Sequence, residues 1–313
     1  MPGNEMTAVR IHGFGDESVL AVETAPIPEP GPGDVLVRVH AAAVNPVDSL
    51  VRQGVFAVSD RPLPWIPGWD FAGTVVALGG ATTDWSVGDV VYGRPSLARD
   101  GSYAQYLAVD AGEIAAAPRT LSLESAAAVP LVTLTAWKAL FDLGELGPAG
   151  TVLIHAGAGG AGTMAIQLAR RRGAKVVATA SGDGIALARS LGADEVIDHR
   201  TDDLAARGRF ADVVLDTVGN ETLERSYASV VPGGILVTIA GAPDDAKAAE
   251  LGITAHTFVL DSNGPRLAEI AGLIDDGDLR PVVTRVLELD EVARAHRLID
   301  SGRTRGKLVL RVP

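Results

Sequence analysis

The sequence predicts an α/β protein in which a β-rich domain is combined with a doubly wound parallel-sheet domain. The 313 residues are more than one ordinary domain needs and suit two domains. Short β-like segments separated by turn residues occupy the chain before residue 125, whereas strands and helices alternate after it. We therefore predict a first domain over 1–124, a second over 125–260, and a C-terminal part, 261–313, that returns to the first domain.

The first domain is predicted from short segments with a period of two residues. After a loop dense in proline and glycine at 25–34, Val35–His40 alternates apolar and polar side chains, as a half-buried strand does. Further β-like segments cover Gly73–Leu78, Val90–Tyr92 and Tyr103–Val109. The pattern predicts an antiparallel, partly closed sheet, preceded by a flexible lead-in over residues 1–5.

The second domain is predicted from the alternation of apolar strands with helices. The predicted strands are Thr151–Ala156, Lys175–Ala180, Glu195–Asp198, Asp212–Asp216 and Ile235–Ala240, and the helices are Thr163–Arg172 and Ile185–Leu191. The C-terminal part is predicted to contain the amphipathic helices Arg266–Asp275 and Asp290–Asp300 and the strand Lys307–Val312. Such alternation indicates a parallel sheet that is covered by helices.

Charge and composition exclude several classes of function. The formal net charge is −12 and the pI is about 4.9, which argues against nucleic acid and against an anionic membrane surface as partners. The chain has no cysteine, so disulfides, iron–sulfur clusters and thiolate zinc sites are excluded. No pair of histidines has the spacing of metal ligands, and we expect no metal site.

No segment has the pattern of a membrane span or a signal peptide. Met1–Thr7 lacks a basic region followed by an apolar one. The longest apolar stretch, Ala126–Leu143, contains Pro130, Lys138 and Asp142, so we interpret it as a buried helix. We expect a cytoplasmic protein.

A glycine motif directly follows the first strand of the alternating part. Residues 157–162 read Gly-Ala-Gly-Gly-Ala-Gly, which has the G-x-G-x-x-G spacing. Glycines allow a tight turn and let backbone N–H groups approach a pyrophosphate, while the following helix adds its partial positive charge. Strand, motif, helix and second strand occur in the required order, so the motif predicts a Rossmann dinucleotide site. A glycine-rich structural turn is the alternative.

The end of the second strand bears on the choice between NADH and NADPH. NAD-binding folds usually carry Asp or Glu there to hold the ribose 2′-hydroxyl, whereas this chain has Ala180 followed by Ser181. The missing carboxylate and the Ser181 hydroxyl favour a 2′-phosphate, although the nearby Asp183 acts against it. His199 and Arg200 follow the third strand and are either a clamp for that phosphate or an ordinary exposed pair. We therefore expect NADPH as the cofactor.

Nine short stretches, in their order and spacing, carry a family resemblance. They are Val44–Asp48, Pro67–Gly73, Val87–Val91, Gly101–Tyr106, Leu134–Trp137, Ala156–Gly162, Leu191–Asp194, Asp216–Gly219 and Gly306–Leu310. Together they span nearly the whole chain, which resembles the medium-chain dehydrogenase/reductase superfamily in its zinc-free quinone oxidoreductase (zeta-crystallin-like) branch. The resemblance implies a GroES-like catalytic domain formed from both chain ends, a central Rossmann domain, a cofactor between the two, and often a homodimer.

The resemblance also implies roles for individual residues. Asn45 and Asp48 would lie near the nicotinamide and the substrate as catalytic residues, and Thr135 would face the nicotinamide. The pyrophosphate would be held by the loop residues Gly157, Gly159, Gly160, Ala161 and Gly162. Further cofactor contacts are expected from Ser181, His199, Arg200, Thr217, Ala240, Lys307, and the backbone groups of Phe258 and Val259.

Three departures from the family pattern concern metal, substrate and cofactor. Zinc-dependent relatives have histidine where this chain has Trp69, and they use cysteine ligands that this chain lacks. Many quinone reductases of the branch have tyrosine at the position of Leu50, a basic residue near Asp183 and tyrosine at the position of His199. The first departure argues against the alcohol dehydrogenase mechanism, and the others leave substrate and cofactor preference open.

Several of these residues also have a purely structural interpretation. Asn45 before a proline is a common turn former, and Asp48 is equally suited to cap a helix over residues 49–53. Trp65 and Trp69 either line an apolar substrate pocket, together with Leu50, or form a wall of the first domain. Residues that we interpret as buried or packed rather than catalytic are Tyr103, Tyr106 and His155, the last beside the cofactor.

The leading hypothesis is an NADPH-dependent quinone or enone reductase that needs no zinc. Hydride passes from the nicotinamide to a conjugated carbonyl, which spreads the incoming charge itself, and Asn45 or a backbone amide stabilises the resulting enolate. Alternatives are an enoyl reductase acting on a biosynthetic intermediate and a cofactor-binding structural or regulatory protein with little turnover. The expected partners are a small conjugated carbonyl or quinone and a second copy of the chain.

Overall fold

The structure, a computed structural model, describes residues 4–56, 62–82 and 84–313, and the chain divides into two units. The first unit consists of residues 1–131, 261–277 and 281–313, and the second of residues 132–260 and 278–280. Both ends of the chain therefore belong to the first unit. The predicted α/β class, with one β-rich unit and one parallel-sheet unit, is confirmed.

The N-terminal part of the first unit is made of short strands, as the two-residue periodicity predicts. The strands are β1 (Glu5–Ile11), β2 (Leu20–Pro26), β3 (Asp34–Val44), β4 (Phe71–Leu78), β5 (Val90–Gly93), β6 (Tyr106–Asp110) and β7 (Ile114–Ala116). The helices are α1 (Pro46–Arg52) and α2 (Leu123–Ala127), and α3 (Pro130–Trp137) begins in this unit and continues into the second. Strands β1 and β2 form an antiparallel ribbon, while β3 pairs with both β4 and β6.

The second unit is a six-stranded parallel sheet with helices between its strands, which confirms the predicted doubly wound fold. Its elements are β8 (Thr151–Ile154), α4 (Gly160–Arg172), β9 (Lys175–Ala180), α5 (Asp183–Ser190), β10 (Glu195–Asp198), β11 (Ala211–Asp216), α6 (Asn220–Ser226), β12 (Val230–Thr238), α7 (Asp245–Leu251) and β13 (Thr254–Thr257). The strand order is β10-β9-β8-β11-β12-β13. The order reverses between β8 and β11, and sheets of this kind bind ligands at the carboxyl ends of such strands.

The C-terminal part completes the sheet of the first unit. It contains α8 (Gly264–Asp275), β14 (Val283–Glu288), α9 (Val292–Asp300) and β15 (Lys307–Arg311). The pairs among β1–β7 are antiparallel, as predicted for the segments before residue 125, whereas β15 is antiparallel to β3 but parallel to β14. The reason is the crossover through α9, which returns the chain in the direction of β14. Because β15 lies beside β3, the start of β15 is next to the residues that follow β3.

Each unit has its own buried apolar core. In the first unit it is built around β3, where Val35, Val37 and Val39 are fully buried. In the second unit the central strands are buried on both faces, and Leu153 and Val214 are members of that core. Burial on both faces explains why these strands are continuous apolar runs in the sequence.

Several predicted boundaries differ from the observed ones for local reasons. The strand predicted from Tyr103 begins only at Tyr106, because the Tyr103 carbonyl accepts from Val9 N at 2.8 Å and the chain there follows β1. The strand predicted over Thr151–Ala156 ends at Ile154, because Ala156 has a φ of 49° and the chain turns. Of the predicted lead-in, residue 5 already begins β1, and residues 1–3 lie outside the described residues.

The apolar stretch Ala126–Leu143 was predicted to be one buried helix, but the structure divides it among three helical segments. Helix α2 ends at Ala127, α3 begins at Pro130, and a π-helical segment covers Lys138–Leu143. Proline is tolerated in the first turn of a helix because its missing N–H has no partner there, so Pro130 starts a new helix. Within the described ranges, no helix combines the length and apolarity that crossing a bilayer requires.

Candidate functional site

The glycine motif of the second unit forms a turn at the carboxyl end of β8. The chain turns at Ala156, whose φ of 49° lies in the left-handed region. The Gly157 N–H donates to the carbonyl oxygen of Thr179 in β9 at 2.8 Å, which ties the turn to the neighbouring strand. Helix α4 then begins at Gly160 without a capping side chain. The N–H groups of its first turn therefore have neither an intrahelical acceptor nor a capping side chain.

At three positions of the motif, neighbouring atoms leave little or no room for a side chain, so glycine is required or strongly favoured there. A Cβ on Gly162 would lie 2.3 Å from the carbonyl oxygen of Ala156, and a Cβ on Gly157 would lie 2.8 Å from the Cβ of Ala178. A Cβ on Gly159 would lie 3.2 Å from the same carbonyl oxygen. Close packing of strand, turn and helix leaves an uncapped helix N-terminus, with Gly160 and Ala161 half-buried in its first turn. These residues fit the diphosphate of a dinucleotide.

His155, directly before the turn, is held by two side-chain hydrogen bonds. Its Nδ1 lies 3.2 Å from the Thr179 hydroxyl and its Nε2 lies 3.0 Å from the Ser226 hydroxyl. Burial lowers the pKa of His155 to about 4, so the ring is neutral at pH 7. The prediction that His155 is buried is confirmed, and its two hydrogen bonds give it a structural task.

The residues predicted to hold a 2′-phosphate are only partly brought together. Ser181 is half-buried and directly follows β9, and His199 Nδ1 lies 3.1 Å from the carbonyl oxygen of Ala180. The guanidinium of Arg200 instead pairs with Asp198, with Nε–Oδ1 at 3.2 Å. Ser181 and His199 are therefore neighbours at the end of β9. The guanidinium of Arg200 is instead held in an ion pair by Asp198.

The other predicted cofactor residues of the second unit have varied surroundings. Thr135 is buried in α3, and the Thr217 hydroxyl donates to the carbonyl oxygen of His155 at 2.9 Å. Ala240 is exposed just after β12. The Val259 carbonyl accepts from Lys138 Nζ at 3.4 Å, and the same Nζ lies 5.2 Å from the centre of the Phe258 ring.

In the first unit, four strands bring their polar flanking residues to one end of the sheet. In the strand register, Val44 at the end of β3 pairs with Leu308, near the start of β15. Phe71 at the start of β4 pairs with Gly93 at the end of β5. The residues at or just beyond these strand ends therefore lie at the same end of the sheet, and they are Asn45, Asp70, Arg94 and Lys307. We call these four residues the strand-end cluster.

Asn45 and Lys307 are enclosed in this cluster, where their side chains contact each other and Asp70. The Asn45 amide nitrogen donates to Asp70 Oδ2 at 2.9 Å, and its amide oxygen accepts from Lys307. Lys307 Nζ also donates to Val44 O at 3.2 Å and to Asp70 Oδ2 at 3.1 Å, which uses its three N–H groups. Asn45 is fully buried, so here its amide holds the cluster together and is not presented to an enolate. Lys307 likewise has no N–H left for a cofactor.

Asp70 is the central residue of the cluster and was not identified from the sequence. Besides Asn45 and Lys307, it accepts from the backbone N–H of Leu131, in the first turn of α3, at 2.7 Å. Burial raises the pKa of Asp70, and the charge of Lys307 acts in the opposite direction. The only sequence signal was a carboxylate inside the otherwise apolar stretch Pro67–Gly73.

Asp48 is buried beside the cluster in the first turn of α1. Its Oδ2 accepts from the backbone N–H of Asn45 at 2.8 Å, so Asp48 is the N3 residue of a capping box and Asn45 is the N-cap, whereas the capping interpretation placed Asp48 before a helix over residues 49–53. The same oxygen accepts from the Tyr103 hydroxyl at 2.6 Å, while Oδ1 has no hydrogen-bond partner among the described residues. Tyr103 is packed in the core, as predicted, but its hydroxyl also binds a buried carboxyl group.

Replacing Asp48 by asparagine is expected to change how stability depends on pH. Burial raises the pKa of Asp48 to about 7, whereas an unfolded aspartate titrates near about 3.9. Between these values the folded protein binds more protons than the unfolded one. The stability that Asp48 contributes is therefore fully present below about pH 4 and is lost as the pH rises through 7.

The measurement is the free energy of unfolding in urea at pH 5.5, 6.5 and 8 for the wild type and Asp48→Asn. A comparison is needed because burial lowers the pKa of His155 and of His296 to about 4, and their effect has the opposite sign. The free energy of unfolding of the variant should rise relative to that of the wild type by up to about 1.4 kcal/mol per pH unit as the pH rises. Parallel curves for the two proteins would contradict the raised pKa.

The predicted substrate-pocket residues are mostly core residues. Trp69 is 2% exposed and Trp65 is 7% exposed, and both belong to the apolar core of the first unit. Trp65 Nε1 donates to Pro62 O at 3.0 Å, and the Trp65 ring packs edge-on against Phe14. Such burial leaves little surface for a ligand, so here the two tryptophans form a wall of the unit. Leu50, on α1, is 40% exposed.

Comparisons with known proteins extend over both units. Residues 31–119 match the alcohol dehydrogenase GroES-like domain, and residues 191–310 match the zinc-binding dehydrogenase family. The chain is 35% identical over 318 residues to 2-methylene-furan-3-one reductase from Solanum lycopersicum, covering 98% of this chain and 79% of that protein. It is also 35% identical over 317 residues to the chloroplastic NADPH-dependent alkenal/one oxidoreductase of Arabidopsis thaliana, with the same coverage.

A solved structure shares the whole architecture. The quinone oxidoreductase from Coxiella burnetii superimposes with a TM-score of 0.93 at 33% sequence identity. The match covers 99% of this chain and 100% of that one. The first unit is therefore GroES-like and the second Rossmann-like, as the resemblance implies.

Proposed function

The chain belongs to the medium-chain dehydrogenase/reductase superfamily, in its quinone oxidoreductase branch, and from this premise we propose that it is an NADPH-dependent reductase of quinones and enones. The observation that carries the proposal is the uncapped glycine turn at the carboxyl end of β8. The N–H groups of the first turn of α4, which have no capping side chain among the described residues, suit a dinucleotide diphosphate. The names of the two plant relatives, a reductase of a furanone and an oxidoreductase of alkenals and alkenones, support the acceptor class.

The chemistry follows from what the residues offer. When bound, the nicotinamide supplies the hydride. The backbone N–H groups of the first turn of α4 hold the diphosphate, and His155 keeps the turn in place. A conjugated carbonyl accepts hydride without an activating thiolate-bound zinc, for which this chain has no cysteine. Since the Asn45 amide is used by Asp70 and Lys307, we propose a backbone N–H as the donor to the enolate.

The proposed function is tested by steady-state NADPH oxidation with a quinone (9,10-phenanthrenequinone) and an enone (methyl vinyl ketone), after exhaustive chelation. We expect turnover with both acceptors and no oxidation of ethanol or benzyl alcohol with NADP⁺, because this chain has no cysteine to hold a zinc ion that would stabilise the alkoxide. Robust alcohol oxidation that disappears on chelation would contradict the proposal. NADPH binding without turnover of any acceptor would favour a binding protein instead. The homodimer and the cytoplasmic location stay predictions.

A modest preference for NADPH over NADH is expected from the end of β9. Ala180 offers no carboxylate to a 2′-hydroxyl, and the Ser181 hydroxyl beside His199 offers a donor to a 2′-phosphate. One charge-assisted hydrogen bond corresponds to about tenfold in kcat/KM. Ser181→Ala should remove most of the preference, measured as the ratio of kcat/KM with NADPH to kcat/KM with NADH. Ser190→Ala, at an exposed helix end, serves as the matched control. Equal kcat/KM for both cofactors in the wild type would refute the assignment.

A further inference from the structure

A buried arginine of the strand-end cluster forms no ion pair with a carboxylate in the part of the chain that the structure describes. Arg94 directly follows β5 and is 4% exposed. Its Nη1 donates to the Ser262 hydroxyl at 3.3 Å, and its Nε has no hydrogen-bond partner within the described ranges. Among the described residues no carboxylate lies within ion-pair distance of its guanidinium. The hydrogen bonds that join Asn45, Asp70 and Lys307 do not involve Arg94.

The charges around Arg94 leave its positive charge uncompensated at close range. Asp70, which precedes β4 next to Arg94, already forms its ion pair with Lys307. Asp48 is partly protonated at pH 7 because burial raises its pKa to about 7. Glu113 and Asp261 also act on Arg94 through their charges. None of these four carboxyl groups lies within ion-pair distance of the guanidinium, so among the described residues Arg94 forms no ion pair.

A buried charge without a partner is unusual, because taking a guanidinium out of water costs several kcal/mol unless an anion faces it. Arginine presents a planar fork of donors that matches a carboxylate or a phosphate. We propose that Arg94 recognises an anionic group on the acceptor substrate, so that the enzyme favours conjugated carbonyl compounds that carry a carboxylate. The proposal rests on the proposed reductase function and names the substrate class of that site.

The test compares two acceptors with the same enone and different charge, 4-oxo-2-pentenoate and its methyl ester. Wild type, Arg94→Met, Arg94→Lys and Arg99→Met are assayed with NADPH for kcat/KM on both acceptors. The ratio of acid to ester should fall at least about tenfold in Arg94→Met and less in Arg94→Lys. Arg99→Met is the matched control, because Arg99 already pairs with Asp34 at 2.6 Å and should leave the ratio unchanged. Comparing ratios cancels the different intrinsic reactivity of acid and ester.

A second measurement needs neither a variant nor turnover. Isothermal titration calorimetry of the wild type with 4-oxopentanoate and with methyl 4-oxopentanoate, the saturated products, should show tighter binding of the anion in the presence of NADP⁺. Equal binding of the two, or an unchanged acid-to-ester ratio in Arg94→Met, would overturn the proposal.

The KM for NADPH shows whether Arg94 binds a substrate carboxylate or a phosphate of the cofactor. A raised KM for NADPH in Arg94→Met, with both acceptors slowed equally, would assign the arginine to a cofactor phosphate and also overturn the proposal. Wild type that binds 4-oxopentanoate but reduces neither the enones nor a quinone would remove the reductase function while leaving the anion site in place.

Discussion

Replacing Gly162 by alanine is expected to weaken NADPH binding by about a hundredfold or more and to lower the stability of the second unit. The added Cβ would lie 2.3 Å from the carbonyl oxygen of Ala156 and 2.8 Å from the Cα of Gly157. Both neighbours are backbone atoms, so relief requires the turn itself to move away from α4. Overpacking of this kind costs about 1–3 kcal/mol, and a displaced turn no longer aims its N–H groups at a diphosphate.

The measurement is NADPH affinity by fluorescence titration together with the thermal unfolding midpoint. Gly147→Ala is the matched control in the same unit, because a Cβ there has no neighbour within 4 Å and the backbone is not left-handed. The control should bind NADPH like the wild type. A Gly162→Ala protein with unchanged affinity would show that the turn does not hold the diphosphate.

The parts of the fold that follow from local sequence were predicted well. The glycine motif was found because a strand, a turn and a helix lie next to each other in the chain, and space at Gly157 and Gly162 leaves no room for a side chain. The strand Lys175–Ala180 was predicted to the residue, since the mainly apolar run from Val176 to Ala180 is buried at every position, as in a strand covered on both faces. The ribbon of β1 and β2 was missed because its polar residues alternate weakly.

The contacts of the strand-end cluster could not be predicted, because the cluster is assembled from distant parts of the chain. The side chains of Asn45 and Lys307, 262 residues apart, meet only because β15 pairs with β3. No periodicity or spacing indicates such a contact, so both residues were assigned to ligands instead of to each other. The same holds for the carboxyl group of Asp70, whose partners come from three separate segments.

Replacing Lys307 by methionine is expected to lower the free energy of unfolding of the first unit by about 3–5 kcal/mol. Lys307 is 4% exposed and Asp70 is fully buried, with Nζ and Oδ2 3.1 Å apart. Removing the cation leaves the Asp70 carboxylate buried without its counter-charge, and the Asn45 amide oxygen loses its donor. Asp70 then has to take up a proton, so the loss should be larger at pH 8 than at pH 5.5.

The double variant Asp70→Asn/Lys307→Met separates the charge from the packing. It leaves no buried charge at this position, so it should lose clearly less stability than the sum of the two single variants, and its loss should not grow between pH 5.5 and 8. Arg294→Met is the control, because its ion pair with Glu291 is on the surface and is expected to contribute less than about 1 kcal/mol. Additive single losses, or a Lys307→Met protein as stable as the wild type at both pH values, would show that the buried pair does not hold this end of the sheet together.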